Sequence, residues 1–163
     1  MSLGLGKRNH VDVDMLEIPS PDTAMVSGTR IGMTNEQKRI FALLLESIRC
    51  SLKIFRHGDC IGADMNAHEI VQSLFGDSVR VHIHPPLDNK ERAFCEKDSA
   101  VVHQPEAYLK RDKTMVNSSD IVFAFPKGAN EQKRGSGTWA VIRHARKKGK
   151  PLVVVYPDGS VGK

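Results

Sequence analysis

Two glycine-bearing turns carry residue types that suit an anion. His57-Gly58-Asp59-Cys60-Ile61-Gly62-Ala63-Asp64 follows one apolar run, and Gly135-Ser136-Gly137-Thr138-Trp139 opens a helical pattern. Glycine lets backbone amides approach a ligand closely. A helix that begins just after such a turn adds unsatisfied N–H groups and the positive end of its dipole, so phosphate is the natural ligand. Tight-turn packing explains either turn taken alone; their repetition favours the ligand reading. A third segment, Ser27-Gly28-Thr29-Arg30, ends the first apolar run. Ser27, Thr29 and Thr138 offer hydroxyls to a phosphate or ribose, and Arg30 or Arg111 offers a planar fork of donors. The alternative is that the hydroxyls cap helices and the arginines are solvated. Asp64 suits a ribose hydroxyl and a helix N-terminus equally.

Other groups carry less. His82 and His84 stand two apart on a strand and point the same way, with Cys95 or His57 as further ligands for a metal. Neither a third nor a fourth ligand is clear, and such histidines are more often pocket or surface residues, so no metal and no cofactor is expected. His57 and Cys60 suggest a thiol–imidazole pair without an orienting partner. Trp139 suits stacking on a base as well as it suits a core.

Short apolar runs alternating with amphipathic stretches must position these groups. Strands are expected at Ala24–Val26, Leu52–Phe55, Val79–Ile83, Ile121–Phe125 and Leu152–Tyr156. The third is stopped by His84-Pro85-Pro86, the fourth by Pro126. Thr34, with Gln37 completing a capping box, starts a helix whose apolar face is Ile40, Phe41, Leu44, Leu45 and Ile48. Further helices are expected after Gly62, over Lys90–Asp98, over Leu109–Ser118, and from Thr138 to a stop at Gly149. Parallel neighbours require crossovers, so the fold class is α/β, a Rossmann-like three-layer sandwich with a mainly parallel five-stranded sheet. Ligands in such folds lie beyond the carboxyl ends of the strands, where Ser27–Arg30, His57–Asp64, His84–Pro86 and Pro126–Trp139 would converge.

The 163 residues fit one domain, expected over 23–158, with a poorly ordered arm at 1–22 and a tail at 159–163. No apolar run approaches the roughly 20 residues that span a bilayer. Three cysteines without a Cys-x-x-Cys unit, and an N-terminus without a secretory core, point to the cytoplasm. The net charge of +5 favours anionic partners, nucleotide or nucleic acid. Much of it sits in Arg143, Arg146, Lys147, Lys148 and Lys150, which also complement a helix C-terminus.

Between Ala24 and Tyr156 the chain resembles the SLOG superfamily, which includes the Lonely-guy cytokinin-activating enzymes and the nucleotide-binding domain of DNA-processing protein A. The resemblance rests on Arg111-Asp112-Lys113-Thr114-Met115, Ser119-Asp120, the strand Ile121–Phe125, Pro126 and Gly135-Ser136-Gly137-Thr138, together with the Gly62-Ala63-Asp64 turn. It implies a Rossmann-like domain that binds nucleotides or their derivatives, commonly as a homo-oligomer. Two departures matter. Residues 127–134 are inserted between Pro126 and the glycine turn, which alters the pocket rim. The glutamate that follows Gly-Thr in the phosphoribohydrolases is absent, with Trp139, Ala140 and Val141 in its place.

Cleaving an N-glycosidic bond needs a carboxylate, and these three side chains supply none. The first expectation is therefore a module that senses or sequesters a nucleotide-derived phosphorylated ligand. The second is a nucleoside-monophosphate glycosidase that uses Arg111 and a relocated carboxylate from Asp59, Asp64 or Glu131. The third is single-stranded nucleic-acid binding through the basic last helix.

Overall fold

The computed structural model describes residues 13–96 and 100–163. Seven strands form one sheet: β1 (Thr23–Gly28), β2 (Ile54–His57), β3 (Arg80–Ile83), β4 (Val101–Val102), β5 (Ile121–Phe125), β6 (Leu152–Val155) and β7 (Val161–Gly162). Their spatial order is β4-β3-β2-β1-β5-β6-β7, and every neighbouring pair is parallel except β6 with β7. The helices are α1 (Asn35–Ser47), α2 (Ala63–Phe75), α3 (Tyr108–Asn117) and α4 (Gly137–Lys147).

The capping box at Thr34 forms: its hydroxyl accepts the Gln37 N–H, and the Gln37 side chain accepts the Thr34 N–H. The same Gln37 is buried and donates to the carbonyls of Pro126 and Val155, fastening α1 to the ends of β5 and β6. Alternation along the strands then sorts side chains onto two faces. Ala24, Val26, Phe123, Phe125, Val153 and Val155 pack with α1 and α2, where the Phe41 ring lies 5.6 Å from Phe123 and 5.0 Å from Phe125. Met25, Val122, Ala124, Leu152 and Val154 pack with Met115 of α3 and with Trp139 and Ile142 of α4. Fully burying an aromatic or aliphatic side chain stabilises by roughly 1.5–3 kcal/mol, so the two clusters fix the helices on both faces. Trp139 belongs to the second cluster and is buried, which settles it as a core residue.

Three expectations are corrected. The sheet has seven strands rather than five, because β4 and β7 are two-residue strands too short to show a period. Residues 159–163, expected as a tail, turn at Gly159 (φ 84°) and return as β7 against Val154 and Val155. The helix expected over 90–98 is a 3-10 turn, Asn89–Glu91, followed by non-helical chain through Glu96. Its backbone donors are spent elsewhere: the Ala93 N–H goes to the Asp59 carbonyl and the Cys95 N–H to the Asp59 carboxylate. Residues 97 and 98 of that expected helix, and 1–12 of the expected arm, lie outside the described residues. The rest of the arm is tied down, with Val13, Leu16 and Ile18 half-buried against the α1/α2 core. No helix among the described residues is long and apolar enough to cross a membrane.

Candidate functional site

The strand order reverses at β1, which has β2 on one side and β5 on the other. Loops leaving such neighbours diverge to opposite faces and open a crevice at the carboxyl ends of the strands. A cleft of about 420 Å³ lies there. Its lining comes from the chain after β1 (Ser27 to Ile31), the β2–α2 turn (Cys60, Asp64), one face of α3 (Tyr108, Leu109, Arg111, Asp112, Met115), and the β5–α4 connection (Lys127, Gln132, Gly135 to Thr138).

A buried arginine lines the cleft, bonded to one carboxylate and within the electrostatic reach of a second. Arg111 donates from Nε and Nη2 to Asp112 Oδ1, at 3.1 and 2.9 Å, and from Nη1 to the Gly58 carbonyl at 3.1 Å. Tyr108 lies under this guanidinium at 4.9 Å and under that of Arg30 at 5.3 Å. Burial works against the Arg111 charge, but Asp112 and Asp64 outweigh it and hold the pKa above its ordinary value. Burial pushes the Asp64 carboxyl up to about 6, opposed by Arg111, and raises Asp112 as well. The Cys60 thiol is driven up to about 11, first by burial and then by Asp64, so it stays protonated at neutral pH.

The opposite wall is the start of α4. Ser136 caps the helix by accepting the Trp139 N–H, and the Ala140 N–H returns to the Ser136 carbonyl. The N–H groups of Gly137 and Thr138 precede that ladder, at the end of the helix that favours anions.

What a methyl group would meet separates the glycines. At Gly28 it would meet the Ala63 side chain at 2.4 Å, at Gly58 the Arg111 guanidinium at 2.7 Å, and at Gly62 the Arg30 backbone at 2.5 Å. These three are small because protein occupies the space. At Gly135 and Gly137 a methyl would meet nothing within 4 Å, and Gly137 has no positive φ to demand glycine. Neither packing nor backbone conformation accounts for Gly137.

Comparison with protein-family models and with curated proteins gives no match for this chain.

Of the residues singled out in the sequence, Ser27, Gly28, Thr29, Arg30, Asp64, Arg111, Gly135, Ser136, Gly137 and Thr138 come together around the cleft. Thr29 also braces its own loop, accepting the Ile31 N–H at its hydroxyl and the Ala63 N–H at its carbonyl. Gly58, Gly62 and Ala63 form the packed shell behind that lining. Pro126 ends β5, its carbonyl held by Gln37. Asp59, in the left-handed region at φ 56°, is buried and pairs with Arg92 at 2.6 Å, away from the cleft. Glu131 is exposed and pairs with Arg143 at 3.3 Å. Asp64 is thus the one of the three weighed carboxylates that lines the cleft.

The histidines turn to one another. His57 Nδ1 accepts the Asp59 N–H at 2.9 Å, so a neutral ring carries its proton on Nε2 and donates it to His68 Nδ1 at 3.0 Å. Both nitrogens are then engaged and neither serves the Cys60 thiol. Ligand atoms of His57, His68 and Cys95 lie within 4.8 Å of one another. A metal ligand normally donates its second ring N–H, however, and His57 accepts there instead, which disfavours an ion. His82 and His84 both face Arg56 Nη1, at 3.2 and 3.1 Å, and His84 stacks on His103 with ring centroids 4.0 Å apart.

Asp112, Tyr108, Met115, Lys127 and Gln132 were not singled out as ligand-facing. The signal for three of them was present: 108, 111, 112 and 115 share one helical face, on which an acid, a base and a phenol stand where apolar residues would be expected.

Proposed function

We propose that the cleft binds a nucleotide-type phosphorylated small molecule, and that the protein acts as a module sensing or sequestering it. Gly137 carries this reading: a glycine at a helix start that lines the cleft, with open space where its side chain would be. A phosphate in that space would receive the first N–H groups of α4, with hydroxyls from Thr138 and Ser27 and charge from Arg30 and Lys127. Arg111 has a different task, since most of its donors are spent on Asp112 and Gly58. The Asp64 and Asp112 carboxylates suit donor groups of the ligand, such as sugar hydroxyls. A volume near 420 Å³ falls at the small end of the roughly 300–1,000 Å³ typical of ligand pockets. The resemblance to the SLOG superfamily supports the same reading.

One observation favours a second reading. Asp64 stands in the cleft with Arg111 nearby and its carboxyl raised to about 6, within the range where a carboxyl serves as acid or base at neutral pH. That is the relocated carboxylate an N-glycosidase would need. One experiment separates the two. Melting curves with a panel of nucleotides and nucleotide sugars at about 100 times Kd should show at least one compound stabilising the fold by about 2.7 kcal/mol. The same mixtures are then assayed for free base: intact nucleotide leaves the binding module, whereas base release lost in Asp64→Asn establishes the enzyme. Flat melting curves across the whole panel would refute the binding reading.

A further inference from the structure

The connection from Lys127 to Gly135 has no apolar anchor, and its residues are exposed apart from half-buried Gly128. One guanidinium holds it. Arg143, on α4, donates from Nη1 to Glu131 Oε1 at 3.3 Å and to the Gln132 carbonyl at 3.0 Å, and from Nη2 to the Lys133 carbonyl at 3.5 Å. The span is flanked by Gly128 and by Gly135 at φ 76°, each with open space where a side chain would be. This clasp sets Gln132 against the cleft, which from this exposed span is lined also by Lys127 and Gly135, so Gln132 is the one residue there with an uncharged side chain to offer a ligand.

We infer that residues 128–135 form a lid, that Gln132 is a specificity-determining residue for the part of the ligand remote from the phosphate, and that Arg143 is its positioning residue. The inference rests on the cleft being a nucleotide-type site. A primary amide presents two donors and an acceptor, which suits the edge of a heterocycle and gives a phosphate no charge to pair with. Exposed ion pairs hold weakly, so a clasp of this kind can release and re-form as ligand enters and leaves. Arg143 touches the lid through two backbone carbonyls and the Glu131 carboxylate and is absent from the cleft lining, so it governs where Gln132 sits without meeting the ligand.

The test is a titration of the full chain with inorganic phosphate and, separately, with AMP, GMP, CMP and UMP, following amide chemical shifts of Gly137 and Thr138. Wild type, Gln132→Ala, Arg143→Ala and Arg143→Lys are compared. Wild type should prefer one nucleotide. Gln132→Ala and Arg143→Ala should each weaken that nucleotide about ten-fold, as expected for one polar contact, and narrow the spread among the four. Phosphate affinity and Tm should stay at wild-type values, and Arg143→Lys should recover part of the preference. The inference is overturned if phosphate binds but the four nucleotides do not differ, if Gln132→Ala keeps the wild-type spread, or if either alanine variant weakens phosphate equally. Failure of wild type to bind phosphate or any nucleotide is a distinct result, which removes the site itself and this inference with it.

Discussion

At the residue scale, the glycines divide into those that make room for protein and those that leave room for something else. Gly58 is of the first kind, since the Arg111 guanidinium rests where its side chain would be. The guanidinium can clear a methyl only by giving up bonds to Asp112 or the Gly58 carbonyl, so Gly58→Ala should destabilise by about 1–3 kcal/mol, measured by urea denaturation. An unchanged midpoint would mean that Arg111 is not seated as described. The sequence placed Gly58 and Gly62 in a turn after a strand but assigned both to anion approach. Their neighbours, Arg111 and Arg30, come from distant segments, and no local spacing announces such a contact. The partner of Arg111 is hidden for a similar reason: a guanidinium looks free in sequence until the acid that occupies its fork, here the adjacent Asp112, is seen to turn the same way.

At the element scale, regular periods were legible and short or borrowed structure was not. The helices after Thr34 and Gly62, and the strand Ile121–Phe125, carry enough repeating apolar positions to declare themselves. Val101–Val102 and Val161–Gly162 hold two residues each and exist as strands only because β3 and β6 offer an edge. The segment after Asp88 has a helix-compatible composition, yet Asp59 takes the Ala93 and Cys95 N–H groups and keeps it out of a helix. The basic residues of α4 and its exit also find local work. Arg146 donates to the Lys163 carbonyl and Lys150 to those of Asn117 and Ser119. These bonds engage Arg146 and Lys150 locally, and the rest of the cluster sits at the helix C-terminus, which favours cations.

At the scale of the whole molecule, histidines gathered from β2, α2, β3 and the chain after β4 give the fold a pH dependence. Burial lowers His57 to about 3, helped by His68 and Arg111, and lowers His84 to about 3, helped by His103 and Arg56. His82 falls to about 4, also chiefly through burial. These folded values lie below the ordinary 6.5, so their contribution is complete above pH 6.5 and is lost as pH falls toward 3. Within that window each costs about 1.4 kcal/mol per pH unit. Asp64 runs the other way: raised from 3.8 to about 6, it takes up its proton first in the native state and offsets one histidine between those values. Tm should thus fall on acidification from pH 6.5 and keep falling at a similar rate below about 4, where Asp64 ceases to compensate just as His82 completes its own proton uptake. A Tm that rises between pH 6.5 and 4 would show that carboxylates, not imidazoles, govern the acid limb.

The convergence of loops from β1, β2 and β5 on one crevice follows from the order of the strands, and the claim that an anion belongs there comes down to Gly137. Replacing it by alanine separates the alternatives, because the backbone accepts the change and nothing fills the space. With Gly137→Ala, Tm should hold or rise slightly, since alanine favours a helix over glycine by up to about 1 kcal/mol, while phosphate and nucleotide affinity should fall at least about ten-fold. A variant that binds as tightly as the wild type would place the anion elsewhere and contradict the account.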